Sequence, residues 1–426
     1  MTQYVLRDLI DVSLDGEWGK GEPAPDHEPM VCIRGTDFAG ARIGNFAGVP
    51  LRHIEARKAQ RKALAPWDIV IEVAGGTKDQ ITGRTLLLRP HVFEQANVRM
   101  TCASFSRFVR LRRDLCDPEY VFWYLQYLYA NGAMRAYHTQ HTGVARFQWT
   151  TFADREPLHV PTLDEQRRIA RILSAYDELI ENCERRIRVL DEMARALYRE
   201  WFVLFRHPGH EKTPLVNSAL GRIPKGWTHA PIRELYSGLF DGPHATPAPA
   251  TEGPIFLGIG NMTESGRLDL SSVRHIAEAD FDRWTKRVTP QAGDIVFTYE
   301  ATLHRYALIP DDFRGCLGRR LALIRVDPAE KCGRFLFLTL LSEAWHEVVS
   351  KNTLSGATVD RVPLSKLPEF PILRPPMPLV AQFDDAVQPI IDDQMRLSKL
   401  IVNLRRTRDL LLPRLLSGQL AVEDAA

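Results

Sequence analysis

The sequence has no long hydrophobic run, no paired cysteines and almost no net charge. None of its apolar stretches approaches the roughly 20 residues that cross a bilayer, and Asp8 interrupts the N-terminal region where a secretion signal would continue apolar. The six cysteines include no Cys-x-x-Cys pair, which argues against a disulfide framework and a zinc ribbon. We therefore expect a cytoplasmic protein with no membrane contact and with reduced, packed cysteines.

Motifs of catalysis are also missing. No lysine has an acidic residue two positions before it, and Gly19-Lys20 is followed by Gly21, so neither a metal-dependent nuclease motif nor a Walker A motif is present. The pair Pro375-Pro376 lacks the flanking residues of an amino-methyltransferase loop, and Gly258-x-Gly260 lacks the third glycine of a dinucleotide site. We predict a non-catalytic chain with no cofactor and no metal of its own.

The charge of the chain is locally uneven. The formal net charge of the 426 residues is +2. Residues 84–113 nevertheless contain seven arginines and only one acidic residue, and residues 314–325 contain four arginines and none. Two such basic patches are what a phosphate-contacting face requires, although a solvated arginine-rich strand surface has the same composition.

The two halves of the chain resemble each other weakly. Residues 66–70 (PWDIV) and 293–297 (GDIVF) each form a turn signal followed by a β-branched strand. Residues 142–144 and 355–357 each precede a mixed stretch, a proline break and a long helical pattern. The repeat predicts two similar domains, each followed by a long helix.

Both helical patterns have the spacing of a coiled-coil seam. The set in the first helix is Ile169, Ile172, Tyr176, Leu179, Cys183, Ile187, Leu190, Ala194, Leu197 and Trp201; the set in the second is Phe383, Val387, Ile390, Gln394, Leu397, Ile401, Leu404, Arg408 and Leu411. Thr162 and Glu165 suggest a capping box at the start of a helix from 164 to 206, residues 207–209 (HPG) would stop it, and Pro413 and Gly418 would close the second helix. The polar Gln394 and Arg408 would fix the register. Two separate amphipathic helices, each on its own domain, would give the same pattern.

These observations predict an α+β protein. We expect two β-rich α+β domains separated by two long antiparallel coiled-coil helices. The predicted boundaries are 1–160 for the first domain, 161–208 for the first helix, 209–375 for the second domain and 376–426 for the second helix. The Pro- and Gly-containing stretch between Phe205 and Gly226 is predicted to be a linker.

Several motifs resemble those of the specificity subunits of type I restriction-modification systems. In order, they are residues 164–170 (DEQRRIA), 221–227 (GRIPKGW), 241–244 (DGPH), 256–261 (FLGIGN), 293–298 (GDIVFT), 321–325 (LALIR) and 412–418 (LPRLLSG). The first half matches through residues 68–70 (DIV), 75–76 (GG) and 104–105 (SF). The chain departs from the family's usual Gly-Thr-x-Gly at residues 301–304 (ATLH), where it has no glycine.

The resemblance implies that the two β-rich α+β domains are target recognition domains of a bacterial DNA-binding subunit that reads a bipartite double-stranded site. It would dock two methylation (modification) subunits, and two restriction/translocase subunits would complete the methyltransferase and endonuclease complex. S-adenosylmethionine, ATP and Mg²⁺ would belong to these partners. The alternative is a stand-alone two-domain DNA-binding regulator or scaffold, and a third hypothesis, a methyltransferase activity of the chain itself, is disfavoured by the missing motifs.

Candidate DNA-binding residues come from the two basic patches and from the 301–304 turn. They are Arg99, Arg107, Arg110, Arg112, Arg113, His304, Arg305, Arg319 and Arg320. A DNA reader needs phosphate contacts for position and base-edge contacts for choice, and arginine can supply both.

Overall fold

The fold was analysed in a computed structural model of the chain, which describes residues 2–75, 80–96, 98–140, 144–218, 221–355 and 359–422. Gly76, Thr142-Gly143 and Gly356-Ala357, named above as parts of motifs, lie outside the described residues. The chain divides into two compact units: unit 1 is formed by residues 1–182 and 403–426, and unit 2 by residues 183–402.

Unit 1 combines short strands with short helices and the ends of two long helices. Its strands are β1 (Thr2–Val5), β2 (Ile10–Asp15), β3 (His27–Ile33), β4 (Leu51–Glu55), β5 (Ile69–Glu72), β6 (Ala74–Gly75), β7 (Thr85–Leu87), β8 (Met100–Cys102), β9 (Ser106–Leu111), β10 (His138–Gln140), β11 (Ala145–Phe147) and β12 (Pro157–Val160). Its helices are α1 (Leu6–Leu9), α2 (Phe38–Arg42), α3 (Ala56–Arg61), α4 (Pro90–Gln95), α5 (Pro118–Ala130), α6 (Trp149–Arg155) and the first part of α7 (Leu163–Tyr198).

Two sheets organise this unit. A four-stranded antiparallel sheet has the order β2-β9-β5-β7, and a three-stranded sheet has the order β4-β3-β8, in which β3 is antiparallel to β4 and parallel to β8. All residues of β5 are buried because this strand lies in the middle of its sheet with cores on both faces. The antiparallel pair β1-β12 joins the start of the domain to its end.

Unit 2 contains the remaining elements. Its strands are β13 (Leu215–Ser218), β14 (Gly221–Pro224), β15 (Thr228–Pro231), β16 (Gly238–Asp241), β17 (Ala250–Leu257), β18 (Arg274–His275), β19 (Ile295–Thr298), β20 (Tyr306–Leu308), β21 (Gly315–Leu317), β22 (Leu321–Arg325) and β23 (Pro371–Arg374). Its helices are α8 (Phe281–Trp284), α9 (Gly333–Leu340), α10 (Glu343–Asn352), the last part of α7 and the first part of α11 (Met377–Leu416).

The four-stranded sheet and the β4-β3-β8 sheet of unit 1 both recur in unit 2, whereas the β10-β11-β6 sheet of unit 1 and the β13-β14 pair of unit 2 have no counterpart among the described residues. The four-stranded sheet has the order β16-β22-β19-β20, and the three-stranded sheet has the order β18-β17-β21 with the same antiparallel and parallel pairings. The pair β15-β23 corresponds to β1-β12. The duplication that the sequence shows only weakly is therefore a duplication of two sheets and of the strand pair that closes each domain.

The long helices differ at their ends from the prediction. Helix α7 has 36 residues, begins with a hydrogen bond from Glu165 N to Thr162 Oγ1 (3.4 Å), and is followed by a π-helical turn, Arg199–Val203. Helix α11 has 40 residues and continues past Pro413 to Leu416, so this proline does not end it. Residues 205–226 are not only a linker, because β13 and β14 form a hairpin there.

The helices pair antiparallel within each unit. In unit 1, Ile169 and Leu173 of α7 share a core with Leu412 and Leu415 of α11, and Arg408 Nη1 donates to Asp177 Oδ1 at 2.6 Å. The two long helices of the predicted fold are therefore present and pack along apolar faces.

In unit 2, the two helices share a core that contains Ala194, Val387 and Ile391. Gln394 Nε2 donates to Asp191 Oδ1 at 2.9 Å. Both polar seam residues of α11 thus meet an aspartate of α7.

The predicted seam of α7 was wrong over one stretch. The side chain of Leu179 is 54% exposed, whereas Leu173, Asp177 and Ile180 are buried. The buried stripe shifts by one residue here because Asp177 lies inside, paired with Arg408. A hydrophobic pattern cannot detect a buried aspartate.

A buried carboxylate connects the strands in the middle of each four-stranded sheet. Asp294, directly before β19, accepts two hydrogen bonds from Arg325 (2.9 and 2.6 Å) and one from the backbone N–H of Gln291 (2.7 Å). In unit 1, Asp68 accepts two hydrogen bonds from Arg110 (2.9 and 2.8 Å) and one from the N–H of Ala65 (2.8 Å). The turn before the central strand is therefore attached to the neighbouring strand in the same way in both units.

We predict that Asp294→Ala lowers the free energy of unfolding by about 3 kcal/mol. The change leaves the Arg325 guanidinium and the Gln291 N–H without their shared carboxylate, and breaking a buried ion pair costs about that much. The measurement is urea unfolding of the purified chain. Glu347→Ala, which removes one partner of the exposed pair with Lys351, is the matched control and should cost under about 0.5 kcal/mol. Equal losses in the two variants would contradict the anchoring role.

Candidate nucleic-acid interface

The candidates on β9 are held by acidic side chains. Arg107 donates to Asp15 (2.6 Å) and to Ser13 (2.8 Å), and its guanidinium lies 5.6 Å from the ring centre of Trp149. Arg110 makes the two hydrogen bonds with Asp68 described above. Burial raises the pKa of Asp68, and the guanidinium of Arg110 opposes this rise. Arg107 and Arg110 therefore have ion pairs that connect β9 to other parts of the domain.

The other candidates of unit 1 lie at the surface. Arg99 pairs with Glu28 at 2.7 Å, and Arg112 lies 3.7 Å from Asp114; all four side chains are more than 40% exposed. The guanidinium of Arg113 lies 5.9 Å from the ring centre of Trp67. Exposed ion pairs contribute little to stability, so these arginines can exchange their partners for DNA phosphates at small cost.

In unit 2, Arg319 and Arg320 form the tip of the turn between β21 and β22. In the part of the chain that the structure describes, no hydrogen bond or ion pair of either guanidinium is found; only their backbone carbonyls accept hydrogen bonds. With Arg274 of β18 they line an open cleft of about 610 Å³ whose floor includes Gly258 and Gly260. This concentration of uncommitted positive charge is what a phosphate- or base-binding surface requires.

His304 and Arg305 lie on a different turn, between β19 and β20. Arg305 donates to the backbone carbonyl of Met262 (2.7 Å) and to Glu264 (2.9 Å). The ring of His304 lies 4.4 Å from that of His346, and burial lowers the pKa of both imidazoles. The structure thus brings Arg319 and Arg320 together, and it gives His304 and Arg305 contacts of their own.

The backbone of the 301–304 turn has the shape that the family motif implies. Ala301 and His304, which stand where the family usually has glycine, have φ values of 70° and 62°. These lie in the left-handed region that costs a residue with a Cβ about 1–2 kcal/mol. Both positions therefore have the positive φ that glycine readily adopts, although neither residue is glycine.

Sequence reasoning missed two residues of these surfaces. Arg274 was not selected because it is a single arginine far from either basic patch in sequence, and Phe105 was noted only as part of the motif at residues 104–105. Phe105 is 58% exposed at the tip of the turn between β8 and β9. An aromatic residue in a short polar turn is a signal that could have identified it.

Other kinds of site find little support in the described residues. They contain no group of three or more His, Cys, Asp or Glu side chains that could hold a metal ion, and all six cysteines are buried and free. No helix in the described parts of the chain is long and apolar enough to cross a membrane.

Comparison with known proteins finds relatives that share one description. No family model matches the chain. The chain is 26% identical over 323 residues to the type I restriction enzyme MjaIX specificity subunit of Methanocaldococcus jannaschii, a match that spans 71% of this chain and 69% of that protein. It is 24% identical over 256 residues to the MjaVIII specificity subunit of the same organism, which spans 58% of this chain and 57% of that protein.

The fold agrees with these relatives. The crystal structure of the type I restriction-modification S subunit from M. genitalium is similar with a TM-score of 0.56 and 14% identity, over 97% of this chain and 95% of that one. Relatives in sequence and a neighbour in fold are thus specificity subunits, as the motifs indicate. The chain is similar in sequence to type I specificity subunits and similar in fold to a type I S subunit.

We predict that Ala301→Gly raises the free energy of unfolding by about 0.5–1 kcal/mol. Glycine removes the cost of the left-handed conformation and loses part of that gain to the greater freedom of its unfolded chain. Urea unfolding measures the difference. The control is Ala292→Gly in the same unit, where φ is not positive and the substitution should destabilise the fold slightly. A loss of stability in both variants would mean that the turn is not strained.

Proposed function

We propose that the chain is the DNA sequence-specificity subunit of a type I restriction-modification complex, with each unit binding one half of a bipartite double-stranded site. The observation that carries the proposal is the duplicated domain: two units share their strand order and their buried aspartate-arginine pair, yet present different side chains at their surface turns. A fold that occurs twice with different side chains at its surface turns is suited to binding two different half-sites independently. The relatives' class supports the same reading.

The chain acts without chemistry of its own in this proposal. Methylation and cleavage belong to partner subunits, two for modification and two for restriction and translocation, which bring S-adenosylmethionine, ATP and Mg²⁺. The paired helices α7 and α11 offer a long surface on which such partners can dock. We infer this division of labour from the resemblance to the family.

The second candidate is a stand-alone DNA-binding regulator or scaffold. It shares the duplicated frame and the basic turns and differs in recruiting no modification enzyme. Co-expression with the modification subunit of the same host and co-purification separate the two. A stable complex that methylates DNA favours the specificity subunit, and methyl transfer by the isolated chain would contradict both proposals.

We predict that exchange of the first domain changes one half of the recognised sequence. The exchange should cover residues 2–160, because β1 pairs with β12 and both must come from the same protein. The donor is the equivalent domain of a relative. The measurement is methylation mapping on a random DNA library with the purified methylating complex. The other half-site and the spacer should stay as they are, and changes in both halves would contradict independent reading.

We further predict that lengthening both long helices by one heptad moves the two half-sites apart. Insertions of seven residues after Leu190 and after Leu397 preserve the seam and add about 10 Å of helix, close to three base pairs. Three base pairs also turn the duplex by roughly 100°, so the longer spacer should restore binding only in part. Selection of preferred sites by the complex measures this. An unchanged spacer at unchanged affinity would mean that the helices do not set the distance.

A further inference from the structure

The turns between β8 and β9 and between β21 and β22 are the same structure in the two units. Ser106 N donates to Ala103 O at 2.8 Å, and in unit 2 Leu321 N donates to Gly318 O at 3.1 Å. The equivalence holds residue by residue at a spacing of 215 positions, from the strand pairings of β8 and β21 to the anchoring arginines 110 and 325. Ser104-Phe105 therefore stands where Arg319-Arg320 stands in unit 2.

Neighbouring backbone holds each turn in place from two sides. The carbonyl of Phe105 accepts hydrogen bonds from Val73 N (2.9 Å) and Ala74 N (3.1 Å), and the carbonyl of Arg320 accepts one from Tyr299 N (3.2 Å). These bonds connect the tip to the end of the central strand in both units. The two tips are rigid at the backbone, which reduces the entropy lost when they bind.

On its other side, each turn packs against a glycine whose position leaves no room for a Cβ atom. A Cβ at Gly16 would lie 2.2 Å from the carbonyl oxygen of Ala103, and a Cβ at Gly242 would lie 2.2 Å from that of Gly318. Backbone atoms cannot yield to such contacts. Both units thus keep a glycine after β2 or β16 so that the chain can pass directly beneath the turn.

The tips differ in chemistry although their frames agree. Phe105 is 58% exposed, and no ring contact of its side chain is found among the described residues. Arg319 and Arg320 are equally uncommitted and carry two positive charges above the cleft with Arg274. A largely exposed apolar side chain and two guanidinium groups without a described partner, each on a turn held by backbone hydrogen bonds, are available for contacts outside their units.

We propose that this two-residue tip is a base-reading element in each unit, with Phe105 deciding bases in one half-site and Arg319 and Arg320 deciding bases in the other. The proposal rests on the proposed function. An exposed phenyl group contacts the methyl group of thymine or wedges against a base step, whereas guanidinium groups bond to the acceptor edge of guanine. Double-stranded DNA is the partner that offers contacts both to an apolar phenyl group and to guanidinium groups at equivalent turns.

The test is selection of preferred sites from a random DNA library by the complex of the chain with its modification subunits. Phe105→Ala should lose discrimination by about 5- to 100-fold at one or two adjacent positions of one half-site, with the dependence of affinity on salt unchanged because no charge is lost. Phe105→Leu should keep part of it. Leu420→Ala, which removes another exposed apolar side chain of unit 1, is the matched control and should keep all of it.

The arginines provide the second arm. Arg319→Ala and Arg320→Ala should lose discrimination in the other half-site only, while Lys351→Ala, which removes an exposed charge from α10, should alter neither half. Exchange of Ser104-Phe105 for Arg-Arg should give the first half-site a new base preference and leave the second unchanged.

Two results would overturn the inference. The first is wild-type base frequencies in both half-sites for Phe105→Ala and for both arginine variants. The second is an equal loss of affinity on every sequence, which would assign the tips to phosphate contacts alone. Failure of the proposed function looks different, because the unaltered complex would then select no bipartite sequence at all.

Discussion

The hydrogen-bonded pair of a buried aspartate and an arginine is the interaction on which each domain depends. Asp68 and Asp294 end the turn that leads into the central strand, and Arg110 and Arg325 lie on the strand beside it. The carboxylate also accepts the N–H of the turn itself, so one side chain fixes the turn, the strand start and the strand pairing. A buried carboxylate is costly without such partners, and the pair therefore specifies a single register for the central strands.

The same strand connects this anchor to the surface. Strand β9 carries Arg110 near one end and follows the Ser104-Phe105 tip at the other, and β22 repeats the arrangement with Arg325 and Arg319-Arg320. A strand whose register is fixed by a buried ion pair presents its preceding turn at a fixed position. Evolution can then change the tip without disturbing the frame, because the tip residues make their hydrogen bonds through the backbone.

The fold was predictable from the sequence where periodicity and turn chemistry carry the information. The two long helices and the duplication follow from spacing and from the repeated Asp-Ile-Val motif. The prediction that Leu179 lies in the seam was wrong because a hydrophobic pattern treats Asp177 as a surface residue. Arg408, 231 positions away, pairs with Asp177 and so offsets the cost of burying its carboxylate. The β13-β14 hairpin was missed because its strands are short and mostly exposed, as in a linker.

The candidate DNA-binding residues could likewise be predicted only in part, because their acidic partners are distant in sequence. A run of arginines without acids nearby in sequence selected Arg107 and Arg110 as well as Arg319 and Arg320. The structure separates them, because Asp15 and Asp68 reach β9 from 92 and 42 positions away while no acid reaches the second turn in the described residues. Counting charges along the sequence does not detect an ion pair between residues that are far apart in sequence and adjacent in the sheet. Free and committed arginines become distinct only when the sheet order is known.

Polar contacts also connect the two helices of each pair, although Asp177 contacts Arg42 as well and Asp191 lies 3.8 Å from Arg267. Arg408 of α11 meets Asp177 of α7 in unit 1, and Gln394 meets Asp191 in unit 2. Burial raises the pKa of Asp191, and the charges of Arg267 and Arg195 oppose this rise. A shift of either helix by one turn would separate Arg408 from the buried Asp177 and Gln394 from the partly buried Asp191, at a cost of about 1–3 kcal/mol for each lost hydrogen bond. Apolar contacts between Leu and Ile side chains tolerate such a shift far better, since they have no direction. The polar residues therefore give each helix pair its alignment, and the apolar residues around them give it its stability.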